Sequence, residues 1–473
     1  MKRAGLASRL AASLAIGGCC VAQASPPAMP SSPALASLPS LPSLAERALA
    51  SHVAYDHAVR IADEVGARMA GTPAFDRGVT WALHALDALG IDAHTEPVTL
   101  AAWQRGAADR ATLVAPYRRA LHMLALGHSP PTAPGGLTAE VVEVASYDEL
   151  EKLGDKVRGK IVFYDGAMQR SEGFEQYGSI GRMRFRGAVA AAKLGAVGAL
   201  VRSAGTGSHR LPHTGCTFYD PAVPQIPFAA IAAEDAGVLH RALGKGPARV
   251  EMVLGGGMQP AVTSSNVVAE VRGREKPDEI VLVGAHLDSW DVGDGALDDG
   301  AGVGVAMETM ALVKALRPKR TVRLALFLNE ECGLDGAIAY EKQHAGELSR
   351  YVAAVEADEG AGKPLRWSVS GDDRSVALVR KLAAPLTSIV PDEVLLSDDA
   401  GADLTPLREA GVPGVNVAQD VSDYFEWHHT DGDTADKIDP AQLGRAAAAV
   451  AGMVVQLANS DEVPTRSRAR PRK

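Results

Sequence analysis

The sequence is poor in positive charge, in cysteine and in uninterrupted apolar runs, and each shortage disfavours a class of protein. Its 48 lysines and arginines are outnumbered by 57 aspartates and glutamates, which leaves a net charge of −9 at pH 7. This acidic balance argues against a nucleic-acid partner. At 473 residues, 47% of them hydrophobic, the chain is long enough to bury a full core in more than one domain.

Cysteine is scarce, since the whole chain has four. Cys19 and Cys20 lie in the amino-terminal segment, which leaves Cys216 and Cys332 for the mature protein. One disulfide is compatible with that number but is not required by it. Because Cys332 directly follows the acidic residue Glu331, we expect it to be a buried free thiol.

The apolar stretch at the amino terminus is too short and too interrupted to span a membrane. Two basic residues precede a moderately apolar segment, residues 6–21, which Arg9 interrupts. A small-residue pattern that ends at Ala24 completes an export signal. We therefore predict a signal peptide over residues 1–24, no transmembrane span, and a secreted or periplasmic protein.

Three further features concern the ends of the chain. A lipid anchor at Cys19 is the alternative to a cleaved signal, because the preceding residues approach a lipoprotein sequence. Residues 25–44 are rich in Pro, Ser and Ala, a composition that cannot bury enough apolar surface to order itself, and are predicted to form a tether. Residues 462–473 are predicted to be a basic, disordered tail.

The most informative segment is GAHLDSWDVGDGALDDGAG, residues 284–302. It overlaps the end of the apolar run IVLVGA, residues 280–285, which is typical of a strand buried on both faces of a parallel sheet. His286, Asp288 and Asp298 follow this strand. Because ligands collect at the carboxyl ends of strands in open α/β sheets, the segment predicts a metal site.

Three more strand-like runs end in residues that bind metals. They are residues 321–329, followed by Glu330 and Glu331; residues 351–357, followed by Asp358; and residues 411–418, which lead to His428 and His429. Taken singly, each group has a structural explanation such as a surface turn or a helix cap. Adjacent carboxylates at the end of a buried strand repel one another unless a cation is present, so their joint recurrence indicates a metal centre.

The motifs HLDSWDVGDGALDDGAG, LNEECG, EADEG and HHTDGDT lie in this order over residues 286–434. They resemble the motifs of the carboxypeptidase Q-like co-catalytic zinc exopeptidases. The resemblance implies two Zn²⁺ ions per chain, with His286 and Asp358 on one ion, Glu331 and His429 on the other, and Asp298 bridging both. Nitrogen and oxygen ligands in this mixture suit zinc, whereas carboxylates alone suit Mg²⁺ or Ca²⁺ better.

The resemblance also implies that Glu330 is the general base. Zinc lowers the pKa of its bound water towards about 7, so a nearby carboxylate suffices to take the proton and pass it to the leaving amine. On an extended chain successive side chains point in opposite directions. Glu330 can therefore face the substrate while Glu331 faces the metal.

Four neighbouring residues receive supporting roles. Asp288 is expected to accept the second N–H of the first histidine ligand, and Asp299 resembles the partner of an unusual peptide bond after the bridging aspartate. His429 fits the family pattern H-T-x-x-D-T, which leaves His428 outside the ligand set. Tyr424 is either an oxyanion donor or a packing residue.

The expected fold is α/β, with a central mixed β-sheet flanked by helices and an inserted smaller domain. Residues 45–122 and 257–461 are predicted to form the peptidase domain, with helical spacing over residues 45–65 and 75–89. Residues 123–256 contain short strand-like and helix-like runs without a ligand cluster, and resemble a protease-associated domain.

The segment SHRLPHTGCTFYD, residues 208–220 within this insertion, has two interpretations. It is either an ordinary polar loop or, as the family resemblance suggests, a loop that overhangs the active site. In the second case His213 and Tyr219 are expected to contact the substrate.

The resemblance implies an exopeptidase that hydrolyses dipeptides or short peptides and forms a homodimer. The alternatives are a di-zinc aminopeptidase of the same fold, a single-zinc acyltransferase of the glutaminyl cyclase kind, and a receptor-like protein that has lost its ligands. The receptor is disfavoured because all five ligands and Glu330 are present. The acyltransferase is disfavoured by the full motif over residues 286–302.

Overall fold

The computed structural model describes residues 46–397 and 400–466. The predicted signal peptide, the predicted tether and most of the basic tail lie outside the described residues. The strands, in chain order, are β1 (Ala93–Gln104), β2 (Arg110–Ala115), β3 (Arg119–Leu121), β4 (Met123–Ala125), β5 (Leu137–Val144), β6 (Ile161–Tyr164), β7 (Gly198–Arg202), β8 (Phe228–Ile231), β9 (Arg249–Val253), β10 (Gly257–Val271), β11 (Lys276–His286), β12 (Arg320–Phe327), β13 (Tyr351–Glu356), β14 (Pro364–Val369), β15 (Val394–Leu396) and β16 (Gly414–Gln419).

The α-helices are α1 (Val53–Glu64), α2 (Pro73–Ala88), α3 (Tyr147–Leu153), α4 (Glu175–Lys193), α5 (Ala233–Leu243), α6 (Ala301–Leu316), α7 (Asp335–Gln343), α8 (Asp373–Ala383), α9 (Thr405–Glu409) and α10 (Pro440–Asn459). The helical spacing over residues 45–65 is interrupted, because residues 50–52 are not helical. By length and apolar composition α10 resembles a membrane span, but 72% of that window is buried inside the protein, as in a core helix.

The first sheet is mixed and has the order β1-β10-β12-β11-β13-β16-β14-β15. Strands β12, β11, β13 and β16 run parallel, whereas β1 and β10 pair antiparallel to their neighbours. Strand β14 is antiparallel to β16 and parallel to β15. Every residue of β12 is buried, because helices cover both faces of a parallel sheet. On one face, Leu282 and Phe327 pack in a core cluster with Tyr340 of α7. The predicted α/β class with a central mixed sheet is confirmed.

The predicted buried strands all lie in this sheet. Residues 280–285 fall within β11, and residues 321–329 begin in β12 and end two residues beyond it. Residues 351–357 match β13, whereas β16 begins at Gly414, three residues after the start of the predicted run. Because β11, β12, β13 and β16 are parallel neighbours, the loops that follow them meet at one edge of the sheet.

A second sheet has the order β3-β2-β9-β5-β6-β7-β8-β4 and lies in sequence between β1 and β10 of the first. Its own core contains Ile161, Phe163 and Leu200 from its central strands. Strands β2 and β3 belong to it although they precede residue 123, the predicted start of the insertion. Strand β2 is only six residues long, and its pairing with β9 joins segments more than 100 residues apart, which its local pattern does not indicate.

A disulfide joins Cys216 to Cys332 across a sequence separation of 116 residues. The expectation that Cys332 is a free thiol is therefore wrong. Cys216 lies in the loop after β7 and Cys332 in the loop after β12, so the bond links the two sheets. Gly127 lies against both sulfur atoms, since a Cβ at that position would stand 2.8 Å from Sγ of Cys332.

Candidate metal centre

The first predicted ligand, His286, is the last residue of β11 and is completely buried. Its Nδ1 lies 3.0 Å from the backbone carbonyl oxygen of Asp288. The Asp288 carboxylate is farther, with Oδ1 3.7 Å from the same nitrogen, and it accepts the backbone N–H of Glu330 at 3.2 Å. The backbone carbonyl is thus the nearer acceptor, and the expectation that the Asp288 carboxylate takes the imidazole N–H stays a prediction. A proton on Nδ1 leaves the Nε2 lone pair free for a metal.

Asp298 lies in a short turn, Ala296–Gly300, between β11 and α6. Asp433, 135 residues away, accepts the backbone N–H groups of Ala296, Leu297 and Asp298 at 3.1, 2.7 and 3.2 Å and so holds this turn in place. The peptide bond between Asp298 and Asp299 is cis. Asp299 accepts the backbone N–H of His286 at 3.2 Å through Oδ2.

The two carboxylate oxygens of Asp298 face two different groups of candidate ligands. Oδ1 lies 3.0 Å from Nε2 of His286, and Asp358 Oδ1 lies 3.5 Å from that nitrogen. Oδ2 lies 3.1 Å from Nε2 of His429, which in turn lies 2.8 Å from Oε2 of Glu331. The structure thus brings all five predicted ligands together, with Asp298 between the other two pairs.

His428 and His429 are distinguished by their second contacts. Both present Nε2 to Asp298 Oδ2 at 3.1 Å, but Glu331 is within ion-pair distance of His429 only. Nδ1 of His429 lies 3.4 Å from the carbonyl oxygen of Thr214, so the tautomer with its proton on Nδ1 directs the Nε2 lone pair at the two carboxylates. His428 instead has its Nδ1 3.1 Å from Nε2 of His213.

The polar contacts in this cluster fit a cation. Asp298 Oδ2 and Glu331 Oε1 are buried without an aligned hydrogen-bond donor among the described residues. Burial, reinforced by the charge on Asp298, raises the pKa of Glu331 well above its usual range. Lone pairs that converge in a buried space repel one another unless a positive charge lies between them. Imidazole and carboxylate donors in this ratio suit Zn²⁺.

Glu330 and Glu331 diverge as expected for successive residues. Glu331 is buried against His429, whereas Glu330 is partly exposed. Burial raises the pKa of Glu330, and the negative charges on Asp358 and Glu331 raise it further. Positive charge at the cluster would counteract this effect and keep the carboxylate ionised near neutral pH.

Of the two predicted residues in the loop over residues 208–220, only His213 lies at the site. His213 is buried and its ring lies 5.0 Å from that of His429. Tyr219 points elsewhere: its hydroxyl donates to the Ile226 carbonyl at 2.7 Å, and its ring packs on the core of the second sheet. The prediction that Tyr219 faces the substrate disagrees with this geometry, because its hydroxyl and its ring are both engaged by the second sheet's segment.

Tyr424 is buried and its ring lies 4.7 Å from the ring of His428. It lines a cavity of about 360 Å³ together with Leu297, the neighbour of Asp298.

Sequence reasoning missed two supporting residues, Asp433 and Arg184. Arg184, from α4 of the second sheet's segment, is buried with Nη1 3.5 Å from Nδ1 of His429 and donates to the Thr214 carbonyl. No local pattern distinguishes it from the other arginines of that helix.

Comparisons with known proteins agree with this geometry. Residues 266–454, which include all five candidate ligands, match the model of peptidase family M28. Carboxypeptidase Q from Mus musculus is 38% identical over 87% of both chains, and the Homo sapiens protein of the same name is 36% identical over 88% of both.

Two solved structures resemble the whole chain. A peptidase M28 precursor from Shewanella amazonensis is 38% identical, with a TM-score of 0.86 over 92% of this chain and 98% of that one. A zinc aminopeptidase from Bacillus subtilis is 22% identical, with a TM-score of 0.64 over 88% of this chain and 98% of that one. The second similarity concerns the fold alone.

Proposed function

Since the chain belongs to peptidase family M28 and is a metallopeptidase, we propose that it hydrolyses dipeptides or short peptides from one end with two zinc ions. The observation that carries this proposal is the placement of Asp298, whose Oδ1 faces His286 and whose Oδ2 faces His429. A carboxylate between two separate donor sets is the arrangement that a bridging ligand requires.

In this proposal His286 and Asp358 would hold one zinc, Glu331 and His429 would hold the other, and Asp298 would serve both. The chemistry that two such ions supply when bound is activation of a water and polarisation of the scissile carbonyl. Glu330 accepts the proton of the attacking water and delivers it to the leaving amine. Its backbone N–H bond to Asp288 keeps it beside the cluster.

Tyr424 and His428 are the residues proposed to face the developing oxyanion. Tyr424 lines the cavity next to the cluster, and His428 presents Nε2 towards the bridging carboxylate. Burial, together with the positive charge that His429 can carry, lowers the pKa of His428 to about 3. The imidazole is therefore neutral at physiological pH. His213 supports it through the contact between His213 Nε2 and His428 Nδ1.

The site of action is proposed to be outside the cytoplasm, because the first 24 residues have the pattern of an export signal. The family resemblance is the basis for proposing a homodimer as well. Sedimentation of the purified protein and sequencing of its mature amino terminus test these two statements.

The experiment is a set of dipeptides with free, acetylated or amidated ends, incubated with the zinc-loaded protein. We expect hydrolysis of free dipeptides and two zinc ions per chain by metal analysis, with the Glu330→Gln protein as the blank. One zinc per chain together with cyclisation of amino-terminal glutamine would favour the acyltransferase. Absence of hydrolysis for every peptide at full zinc loading would contradict the proposal.

A further inference from the structure

Asn329, which directly precedes the proposed base Glu330, has a backbone conformation that few residues adopt. Its φ is +63°, in the left-handed region. Most L-residues are destabilised there by contacts of Cβ with the backbone, whereas asparagine tolerates it better, because its short amide side chain forms local hydrogen bonds. The residue is only 5% exposed. A buried residue with this backbone, next to a base, is a candidate for setting the direction of that base.

The left-handed residue opens the turn that contains both acids of the loop. Strand β12 ends two residues before Asn329. The N–H of Leu334 donates to the Asn329 carbonyl at 2.8 Å, which closes a turn over residues 329–334. Glu330 and Glu331 are the next two residues after Asn329 in this turn. The direction in which Glu330 leaves the sheet is therefore set at Asn329.

The amide side chain of Asn329 holds this backbone in place. Its Nδ2 donates to Oδ2 of Asp335, the first residue of α7, at 2.5 Å. Gly333 leaves room for the contact, because a Cβ there would stand 2.8 Å from the same carboxylate oxygen. The start of the turn is thus tied to the helix that follows it.

The peptide groups on either side of Asn329 are anchored to other segments. On one side, the N–H of Leu328 donates to Oδ1 of Asn266 at 3.0 Å, and Asn266 is completely buried in β10. On the other side, the N–H of Glu330 donates to the Asp288 carboxylate at 3.2 Å. Because both neighbours are held, a change of backbone conformation at position 329 is transmitted to the Glu330 side chain.

We propose that Asn329 is a positioning residue for Glu330: its left-handed backbone, fixed by the bond to Asp335, directs the carboxylate towards the bond to be hydrolysed. The inference rests on the proposed function, in which Glu330 is the general base. Asn329 itself takes no part in proton transfer. Misplacement of a catalytic group by about 1 Å costs about 10²-fold in rate, so the orientation set at this residue is worth a measurable part of turnover.

The test replaces Asn329 by residues that differ in their tolerance of a positive φ. Asn329→Gly keeps the left-handed backbone and should retain most of the wild-type kcat. Asn329→Val should lower kcat by about 10- to 100-fold, because a β-branched side chain disfavours this region. KM and zinc content should stay near their wild-type values in both, since only the orientation of the base changes. Asn329→Ala should lie between them and replaces the valine variant in every comparison if that protein does not fold.

Arg317→Val is the matched control. Arg317 also has a positive φ, +50°, but it lies three residues before β12 begins, whereas Asn329 follows the end of that strand. Valine at this position introduces the same kind of backbone strain at the opposite end of the strand. It should lower Tm without changing kcat.

A double variant separates positioning of the base from a general structural effect. In the Glu330→Gln protein the base is already absent, so adding Asn329→Val should lower the residual kcat little further. Independent effects would multiply instead. Three results would overturn the inference: multiplication of the two losses, a glycine variant as slow as the valine variant, or wild-type kcat in Asn329→Val.

Crystal structures of the zinc-loaded Asn329→Gly and Asn329→Val proteins separate this inference from the proposed function, because they do not depend on turnover. We expect Glu330 to keep its direction in the glycine protein and to be displaced in the valine protein. If the wild type cleaves no peptide but valine alone displaces Glu330, the peptidase proposal fails and the positioning role stands. An undisplaced Glu330 in the valine protein contradicts the positioning role even if peptides are cleaved.

Discussion

At the scale of single residues, the position of Asp298 is the basis for proposing two metals rather than one. Its two oxygens face separate donor sets at 3.0 and 3.1 Å. In our proposal this carboxylate serves both zinc sites, whereas each remaining ligand serves one. Substitutions at these positions should therefore remove different numbers of ions.

We expect Asp298→Asn to lose both zinc ions together, because the amide keeps the shape of the side chain but not its charge. His286→Ala should mainly deplete one ion. Metal analysis after dialysis against a weak chelator measures both. Asp291→Asn is the control, since Asp291 lies in the same loop but pairs with Arg105. Two zinc ions at wild-type affinity in Asp298→Asn would refute the bridging role.

Glu330 is adjacent to a ligand but has a different task in our proposal. Glu330→Gln should retain zinc and lower turnover by about 10²- to 10⁴-fold, the range for loss of a general base. Glu331→Gln should lose metal instead, because Glu331 contacts His429 at 2.8 Å. Zinc content and turnover are measured on both proteins. A fully active Glu330→Gln enzyme with normal metal content would rule out the base assignment.

A third residue, Glu308, lies outside the cluster and makes the free energy of unfolding depend on pH. It lies on α6, is 2% exposed, and accepts the N–H of Ala54 at 3.0 Å. Burial raises its pKa from the ordinary 4.5 to about 7. The folded protein therefore binds this proton more tightly than the unfolded chain does. The resulting stability is complete below pH 4.5 and is lost as the pH rises through about 7.

Glu308→Gln should consequently match the wild type near pH 4.5 and be more stable at pH 8, by up to about 3 kcal/mol. The amide oxygen preserves the hydrogen bond to Ala54 while removing the buried charge. Urea unfolding of both proteins from pH 5 to 8 at constant zinc gives the comparison. A difference in unfolding free energy that does not change with pH would contradict the buried charge as its cause.

At the scale of elements, the ligands lie on loops that follow parallel strands, and contacts from distant segments fix those loops. The turn with Asp298 depends on Asp433, and the loop with Glu331 is tied by Cys332 to Cys216. Cys216 is two residues from Thr214, whose carbonyl contacts His429. The disulfide therefore connects both ligands of the second proposed zinc to the loop of the second sheet.

Replacing both cysteines with serine should lower the unfolding free energy by about 2–5 kcal/mol, as for the loss of other long-range disulfides. It should also weaken zinc binding, because Glu331 loses its covalent anchor at the next residue. Denaturant unfolding and competition with a zinc-binding dye measure the two effects. If stability falls but zinc affinity is unchanged, the disulfide only restricts the unfolded chain and does not hold Glu331 in place for the metal.

At the scale of the whole molecule, metal binding and folding are expected to be coupled. The cluster buries several carboxylates whose charges repel one another, and burial raises the pKa of Glu331 and Glu330. Binding of an ion to the folded state alone stabilises that state by mass action. Each zinc at a concentration of 100 times its Kd adds about 2.7 kcal/mol.

Removal of metal by a chelator should abolish turnover and lower Tm, and added Zn²⁺ should restore both. Mg²⁺ should not, because it prefers oxygen ligands in octahedral geometry to imidazole nitrogen. Calorimetry of the chelated and zinc-loaded proteins gives the comparison. An unchanged Tm after complete metal removal would show that the cluster is stable without cations.

The sequence by itself determined the fold class and the ligand types. Apolar runs such as residues 280–285 specify strands buried on both faces, and the polar residues after each run must then lie at one edge of a parallel sheet. These are consequences of local composition and of the period of a strand. For that reason the sequence alone could predict that five ligands lie together: His286, Asp298, Glu331, Asp358 and His429. The division of these ligands between two ions came from the family resemblance.

Only the tertiary structure decided how that edge is supported. Three contacts join segments more than 100 residues apart. They are the disulfide between Cys216 and Cys332, the contact of His213 with His428, and the hydrogen bonds of Asp433 to the Asp298 turn. The orientation of Tyr219 away from the site depends on packing of the same kind. Such contacts follow from how distant segments of the chain pack together, and periodicity within one segment carries no information about them.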